Sequence, residues 1–308
     1  MKNKKNNTNL SKSDSRASKY IVEKEIELLP FLLETLKGLS RNSVKSILTR
    51  GQVSINGKVV TKHNHPLIEG TEIIIQDNKA AMKENALVGL QIIHEDADVL
   101  VIEKDAGLLS VATDKGPEVT VYSQLMNYVR QTNPKNRIFV VHRLDRDTSG
   151  VMLFAKNEKT KKILQENWKE LVLERIYTAV VEGNVKENQK TITSWLTESK
   201  TFKIHSCPFN NGGKKAITHY KKVRGNQTYS MLEVNLETGR KNQIRVHMEE
   251  IGHPIVGDKK YGAHSNPLKR LGLHATTLVF IHPTTKKRMK FTSKVPKKFT
   301  KLTIKEKE

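Results

Sequence analysis

Apolar positions in the first eighty residues change period partway along. Leu28, Leu29, Phe31, Leu32, Leu33 and Leu36 fall on one helical stripe that stops at Gly38. Ser40 stands as N-cap of a second helix, running from Arg41 to Leu48 and ended by Gly51. The period then drops to two. Val53-Ser54-Ile55 predicts a strand, Asn56-Gly57 a tight hairpin turn, and Lys58-Val59-Val60 the returning strand. A further strand, Glu72 to Ile75, follows Gly70. Residues 21–80 are therefore expected to form a small α/β module, with the polar stretch from Asp77 to Glu84 as a linker. Ahead of the module, residues 1–20 are lysine-rich and poor in apolar side chains, as expected of a basic disordered tail.

Beyond Leu87 the pattern is mostly β. Continuous apolar runs at 99–102, 138–141 and 151–154 predict buried strands. Residues 119–129 and 158–171 read as helices, the second with Leu164, Trp168 and Leu171 on one face. Later strands are predicted at 176–181, 216–223, 229–236 and 273–280. The order fits an α+β domain over residues 87–295 on a central mixed, mainly antiparallel sheet, with residues 296–308 as a second basic tail.

Length and composition narrow the class. A chain of 308 residues can build one large core and a small accessory domain. No apolar run is long enough to span a bilayer, and the polar N-terminal stretch is not expected to be a secretory signal. Cys207 is the sole cysteine, so no internal disulfide forms, which suits a reducing cytoplasm. The formal net charge of +22 changes the picture most, because it calls for a polyanionic partner, nucleic acid ahead of a membrane surface. Lysines crowd the first twenty residues and the stretch from Lys286 to Lys301. A lysine run by itself is commonly just a solvated face.

The densest chemistry lies in Val141-His142-Arg143-Leu144-Asp145-Arg146-Asp147-Thr148-Ser149-Gly150, a loop between two apolar strands. On residue types alone this is a carboxylate held in a cationic setting. It fits either an ionised Asp used as nucleophile or base, or a salt-bridged turn. The stretch HRLDRDTSGVMLFAK closely resembles the signature of the RluA-class RNA pseudouridine synthases, whose catalytic Asp maps to Asp145. Asp98 to Val111 resembles that family's first motif, Arg175 to Gly183 its strand bearing an active-site Tyr, and Leu236 to Met248 its third motif. Gly252 to Asp258, then Tyr261-Gly262, complete the set in order. The N-terminal module, in turn, resembles the small S-four (αL) RNA-binding domain, with Arg41, Lys45, Arg50 and Lys58 making a cationic face for phosphates. Two positions depart from the family pattern: Asp105 stands where a proline is usual, and Asn242 where a histidine is usual.

The resemblance implies a pseudouridine synthase fold and isomerisation of uridine in structured RNA after base flipping, with no cofactor and no metal. Large-subunit ribosomal RNA is the expected substrate and transfer RNA the alternative, and the expected state is a monomer. It assigns Asp145 as the essential carboxylate, Arg245 as its salt-bridge partner and Tyr177 as the ring stacked on the target base. Arg143 would wedge into the vacated stack or hold a phosphate, His142 would orient the loop, and Arg240 and Lys241 would contact phosphates. Two other classes stay in view. A metal-dependent nuclease could use His142, Asp145, Asp147, His247 and Asp258, although their spacing matches no familiar ligand set. A noncatalytic RNA-binding or assembly factor would need only the basic module and the charge.

Overall fold

The structure, a computed structural model, describes residues 17–39, 41–49, 51–76, 87–112 and 119–304. It forms two compact units: among the described residues the first runs from Ala17 to Gln76 and takes in Val119, and the second covers Leu87–Ala112 and Thr120–Ile304. Ser40, Arg50, the expected linker and residues 1–16 lie outside the described residues.

In the first unit, β1 (Ala17–Ile21), β2 (Ile26–Glu27), α1 (Leu28–Thr35) and α2 (Arg41–Thr49) precede β3 (Val53–Ile55), β4 (Lys58–Val59), β5 (Pro66–Leu67) and β6 (Glu72–Gln76). An antiparallel sheet ordered β1-β6-β3-β4 carries the helices, and β2 pairs with β5. The leucine stripe does what its spacing predicts: Leu28, Leu29 and Leu32 are buried with Val44 and Leu48 of α2 and Ile73 of β6. Asn56 and Gly57 both take left-handed backbone angles, the requirement of the two-residue turn between β3 and β4. Residues 17–20 are a correction. The sequence pattern places them in a disordered tail, yet Ala17–Ile21 pairs residue for residue with β6, and Lys19 meets Glu72 at 2.5 Å. Flanking lysines hide a short edge strand whose Tyr20 packs against the core, ahead of the fully enclosed Val22.

The second unit is built on β7 (Leu90–Glu95), β8 (Val99–Lys104), α3 (Val121–Thr132), β9 (Phe139–Val140), β10 (Ser149–Ala155), α4 (Glu158–Glu166), α5 (Trp168–Leu171) and β11 (Val172–Glu182). It continues through β12 (Gln189–Glu198), β13 (Ile204–Cys207), β14 (Lys214–Gly225), β15 (Tyr229–Leu236), α6 (Gln243–Glu250), β16 (Leu273–Ile281), β17 (Arg288–Thr292) and α7 (Lys297–Leu302). The strands form an eleven-stranded sheet with main path β13-β12-β14-β15-β11-β16-β10-β8-β7, while β9 pairs with β10 and β17 with β16. All pairs are antiparallel except β10 with β16, so the α+β class with a mixed, mainly antiparallel sheet holds among the described residues.

The continuous apolar runs of β8 and β10 reflect burial on both sheet faces. Leu100, Ile102, Met152 and Phe154 pack with Leu125 and Val129 of α3. Val99, Val101, Val151 and Leu153 pack with Leu164 of α4 and Phe280 of β16. Three expectations need correction. The single helix expected over 158–171 breaks at Asn167, whose side-chain amide donates back to the Ile163 carbonyl, and β11 begins at Val172 rather than 176. The apolar pattern does not predict the polar β12 or the short β13 and β17, because solvent-facing and edge positions dilute their alternation. The expected C-terminal tail instead contains α7, anchored by a fully buried Phe299 against Val180, Met231, Val256 and Leu268.

The parallel contact of β10 with β16 sets the geometry under the charged loop. Ser149 faces His274 and Gly150 faces Ala275 in register. Gly150 has φ +114°, and a Cβ there would lie 2.1 Å from the Ala275 carbonyl oxygen. Both the angle and the approach demand glycine. Gly150→Ala is expected to lower the unfolding free energy by about 3 kcal/mol or more, read from the urea midpoint. An unchanged midpoint would mean that β10 and β16 part here without cost.

Candidate active site

Residues 141–148 leave the sheet after β9 and return at β10, and buried bonds fix the loop at several points. The His142 Nε2 accepts the Leu153 N–H at 2.9 Å, and burial followed by the charge of Arg175 pushes this imidazole down to about 3. It is therefore a neutral brace for the loop. Leu144 sinks into the core; Ser110 Oγ donates to its carbonyl at 2.7 Å and accepts its N–H at 3.3 Å. Lys104 is fully enclosed and spends its three donors on the carbonyls of Asp105, Leu108 and Arg146, at 2.7–2.9 Å. Burial holds the Lys104 ammonium down to about 8, against the opposing pull of Asp147. That side chain ties the loop after β8 to the loop carrying Asp145.

Asp145 projects from this braced loop toward α6. Arg245, one turn into α6, donates from one terminal nitrogen to Asp145 Oδ2 at 3.3 Å and to Asn242 Oδ1 at 3.3 Å. Its Nε and other terminal nitrogen grip Asp258 at 2.6 and 2.8 Å, in a two-pronged contact. Burial works against the guanidinium charge, but Asp258 and then Asp145 hold its pKa above the ordinary arginine value. The guanidinium also lies 4.9 Å over the Tyr261 ring, and Asn242 Nδ2 donates to the Tyr261 hydroxyl at 2.9 Å. Asn242 is N-cap of α6 in a left-handed conformation (φ +55°), which asparagine tolerates better than most residues.

Tyr177 stands on β11 opposite Ala275 and Val234, between the two halves of the core. Its phenol pKa is raised by burial, with the Asp145 charge adding to the effect, so the hydroxyl stays protonated at neutral pH. A cavity of about 70 Å³ is lined by Arg143, Asp145, Tyr177, Arg240, Asn242 and Arg245 among others. A larger groove of about 710 Å³ shares Arg143, Asp145, Tyr177 and Arg240, and adds His142, Arg175 and Lys241. Arg175 crosses from β11 to donate to the carbonyls of Leu236 and Glu237 at 3.0 and 3.1 Å, fixing the loop that precedes α6. Arg240 donates through Nε to the Lys215 carbonyl, and Lys241 pairs with Glu198.

The structure thus brings Asp145, Tyr177, Arg245, Arg143 and Arg240 to one cavity, with His142 and Lys241 on the adjoining groove. Arg41, Lys45 and Lys58 belong to the first unit. There Arg41 and Lys45 sit one helical turn apart, near enough to His63 to add to the burial that lowers its pKa. The exposed Lys58 begins β4. The sequence reading gave no positioning role to Asp258, Lys104, Ser110 or Arg175. Asp258 had a weak signal, since it directly follows the apolar run Ile255-Val256-Gly257, and a carboxylate buried with such a run needs a cation. Among the described residues, no group of three or more His, Cys, Asp and Glu side chains is placed to hold a metal, so the nuclease set does not assemble.

Beneath the loop runs a directed hydrogen-bond chain. Arg270 donates to Ser149 Oγ at 2.7 Å, leaving that hydroxyl to donate to His274 Nδ1 at 2.7 Å. The His274 Nε2–H then donates to Ser293 Oγ at 3.0 Å, and Ser293 donates to Glu103 at 2.7 Å. The order of donors fixes a neutral His274 protonated at Nε2.

A profile of the family described as RNA pseudouridylate synthase matches residues 98–250, spanning Asp145, Tyr177 and Arg245. An uncharacterized RNA pseudouridine synthase of Bacillus subtilis, YjbO, is 34% identical over 82% of this chain and 89% of its own length. A ribosomal large subunit pseudouridine synthase D of Yersinia pestis is 33% identical over 82% of each chain. Among solved structures, human RNA pseudouridylate synthase domain containing 1 superposes with a TM-score of 0.53 at 25% identity, covering 68% of this chain and 85% of that one. The chain belongs to the RNA pseudouridine synthase family, and with relatives of the D type it falls in the RluA class.

His274 is 2% exposed, and burial followed by the charge of Arg270 pushes its pKa from 6.5 down to about 4. Between those values the unfolded chain holds a proton that the folded chain refuses. This contribution to stability is therefore complete above pH 6.5 and is lost as pH falls toward 4. The slope approaches about 1.4 kcal/mol per pH unit. Urea melts across that range, with His274→Gln as comparator, should show a shallower slope in the variant. Equal slopes would show that His274 protonates in place.

Proposed function

We propose that this pseudouridine synthase isomerises a uridine of large-subunit ribosomal RNA, with Asp145 as the catalytic carboxylate. The observation carrying the assignment is the shared cavity, in which Asp145 meets the outer nitrogen of an Arg245 already locked by Asp258, beside Tyr177. The reaction breaks the glycosidic bond from ribose to ring nitrogen, turns the base and rejoins the ribose at C5, whose proton is lost as the released nitrogen gains one. Atoms balance within the substrate, so the protein must hold the fragments and manage one proton. Asp145 serves by attacking the sugar or by taking a proton from it. Either role uses the carboxylate as an anion, and the Arg245 guanidinium lies 3.3 Å from it.

Reaching the bond requires the uridine to leave its stack. Tyr177 offers an aromatic ring with its hydroxyl protonated, lining the cavity and suited to stacking on the extruded base. Arg143 is exposed at the rim, where a guanidinium can fill the vacated stack or take a phosphate. Arg240 and Lys241 supply cations along the groove, and Arg41, Lys45 and Lys58 give the first unit an S-four-like phosphate-binding role. Ribosomal RNA is favoured over transfer RNA because relatives at this level of identity carry the name ribosomal large subunit pseudouridine synthase D.

Pseudouridine mapping of total RNA from cells lacking the gene, complemented with wild type or Asp145→Asn, tests the reading. One or more large-subunit uridines should be restored by wild type alone, and Asp145→Asn should lose about a thousandfold or more in kcat. A ribosome-assembly defect rescued by both proteins, with no pseudouridine restored, would make this a noncatalytic factor. Asp258→Asn is expected to keep the fold but free Arg245 to swing, lowering kcat by about 10- to 100-fold. Wild-type kcat in that variant would remove Asp258 from the positioning chain.

A further inference from the structure

The β12–β13 turn carries an exposed aromatic that the chemistry above does not use. Phe202 is 69% exposed, although its neighbour Ile204 is buried. It has φ +60°, a left-handed conformation that is costly for a bulky residue and persists only where its surroundings enforce it. The enforcement is visible. Its N–H donates to the Ser199 carbonyl at 2.9 Å, Ser199 N–H donates to the Lys203 carbonyl at 2.8 Å, and Lys260 Nζ donates to the Phe202 carbonyl at 2.8 Å. The Lys241 ammonium sits 5.5 Å from the ring centroid and is itself held by Glu198. A large apolar ring is thus presented to solvent by a turn braced from several sides.

This turn adjoins the reaction site. Lys241 lines the same groove as Asp145 and Tyr177. Lys260 lies near enough to Arg245, Lys241, Glu198 and Asp145 to feel each of their charges. A flipped uridine leaves neighbouring nucleotides unstacked, and an unpaired base seeks an aromatic face with a cation close to its phosphate. We propose that Phe202 is a stacking platform for one unpaired base flanking the target uridine, with Lys260 contacting the adjoining phosphate. The inference rests on RNA being the substrate of the Asp145 site. It makes the β12–β13 turn a determinant of which single-stranded context is accepted. A face-on aromatic tolerates any base but not a missing one, so the platform senses whether that nucleotide is unpaired rather than which letter it bears.

The experiment uses the full chain and a transcript bearing the uridine identified by the mapping above. Flanking nucleotides are replaced one at a time by abasic residues, with wild type, Phe202→Ala and Phe202→Trp compared. Phe202→Ala should raise KM by about 5- to 100-fold, with the loss confined to KM, and Phe202→Trp should stay near wild type. One abasic position should raise the wild-type KM by a similar factor and leave Phe202→Ala unchanged, since the same contact cannot be lost twice. A KM for Phe202→Ala within about twofold of wild type, or additive losses at every abasic position, overturns the platform while the enzyme reading stands. Absence of pseudouridine from the wild-type reaction on the intact transcript overturns both together.

Discussion

Arg245 places a permanent cation where water has little access, and such a charge is tolerated only if its donors are met. Asp258, 1% exposed at its side chain, takes the two-pronged contact at 2.6 and 2.8 Å, while Asp145 receives a longer one at 3.3 Å. The inequality matters. A carboxylate in a tight paired contact is stabilised but spent, since both its oxygens are occupied. With Asp258 filling that place, Asp145 keeps a neighbouring positive charge and still has lone pairs facing the cavity. One guanidinium between two carboxylates also leaves the cluster with a net negative charge, so a cationic or electron-poor sugar carbon would be welcomed there.

Holding that arrangement requires segments far apart in sequence. Arg245 comes from α6, whose start is shaped by the left-handed Asn242 bridging to Tyr261, while Asp258 comes from the loop ahead of Tyr261. Asp145 comes from the other half of the sheet. The two halves meet along β11–β16 and β10–β16, where Gly150 lets the backbones close. Below the loop, Lys104 and the chain from Arg270 to Glu103 satisfy buried polar atoms that a mobile loop would leave exposed. The position of Asp145 therefore follows from packing and buried hydrogen bonds more than from the loop itself.

Much of this was legible where chemistry is local. The Asn56-Gly57 turn, the leucine stripe of α1 and the double-faced burial of β8 and β10 follow from residue types and period. The charged loop could be located from its density of charge, and the role expected of it came from the order of four motifs. What could not be read depended on distant partners. Nothing near Phe299 shows that a lysine-rich end has a pocket waiting on β11 and β15, and nothing near Ala17 shows that β6 offers an open edge. The two departures from the family pattern also find physical accounts. Asp105, unlike a proline, has an N–H, and it donates to the Gly89 carbonyl at 2.8 Å, tying β7 to the loop after β8. Asn242 suits a left-handed helix start and bonds to both Arg245 and Tyr261.

The protonation states divide the labour among the three central residues. Arg245 is held charged by two carboxylates and cannot take a proton. Tyr177 has its phenol pKa raised by burial and, against the pull of Arg175, by the Asp145 charge, so at neutral pH its hydroxyl is protonated and can donate a hydrogen bond. Of the three, Asp145 alone brings a carboxylate to the cavity. On the proposed reading, the first step, whether bond formation at the sugar or proton removal, falls to it. Tyr177 and Asp145 share one small cavity, and the proposed roles use that proximity: the ring would fix the base while the carboxylate works on the sugar, with the two fragments held apart yet within reach.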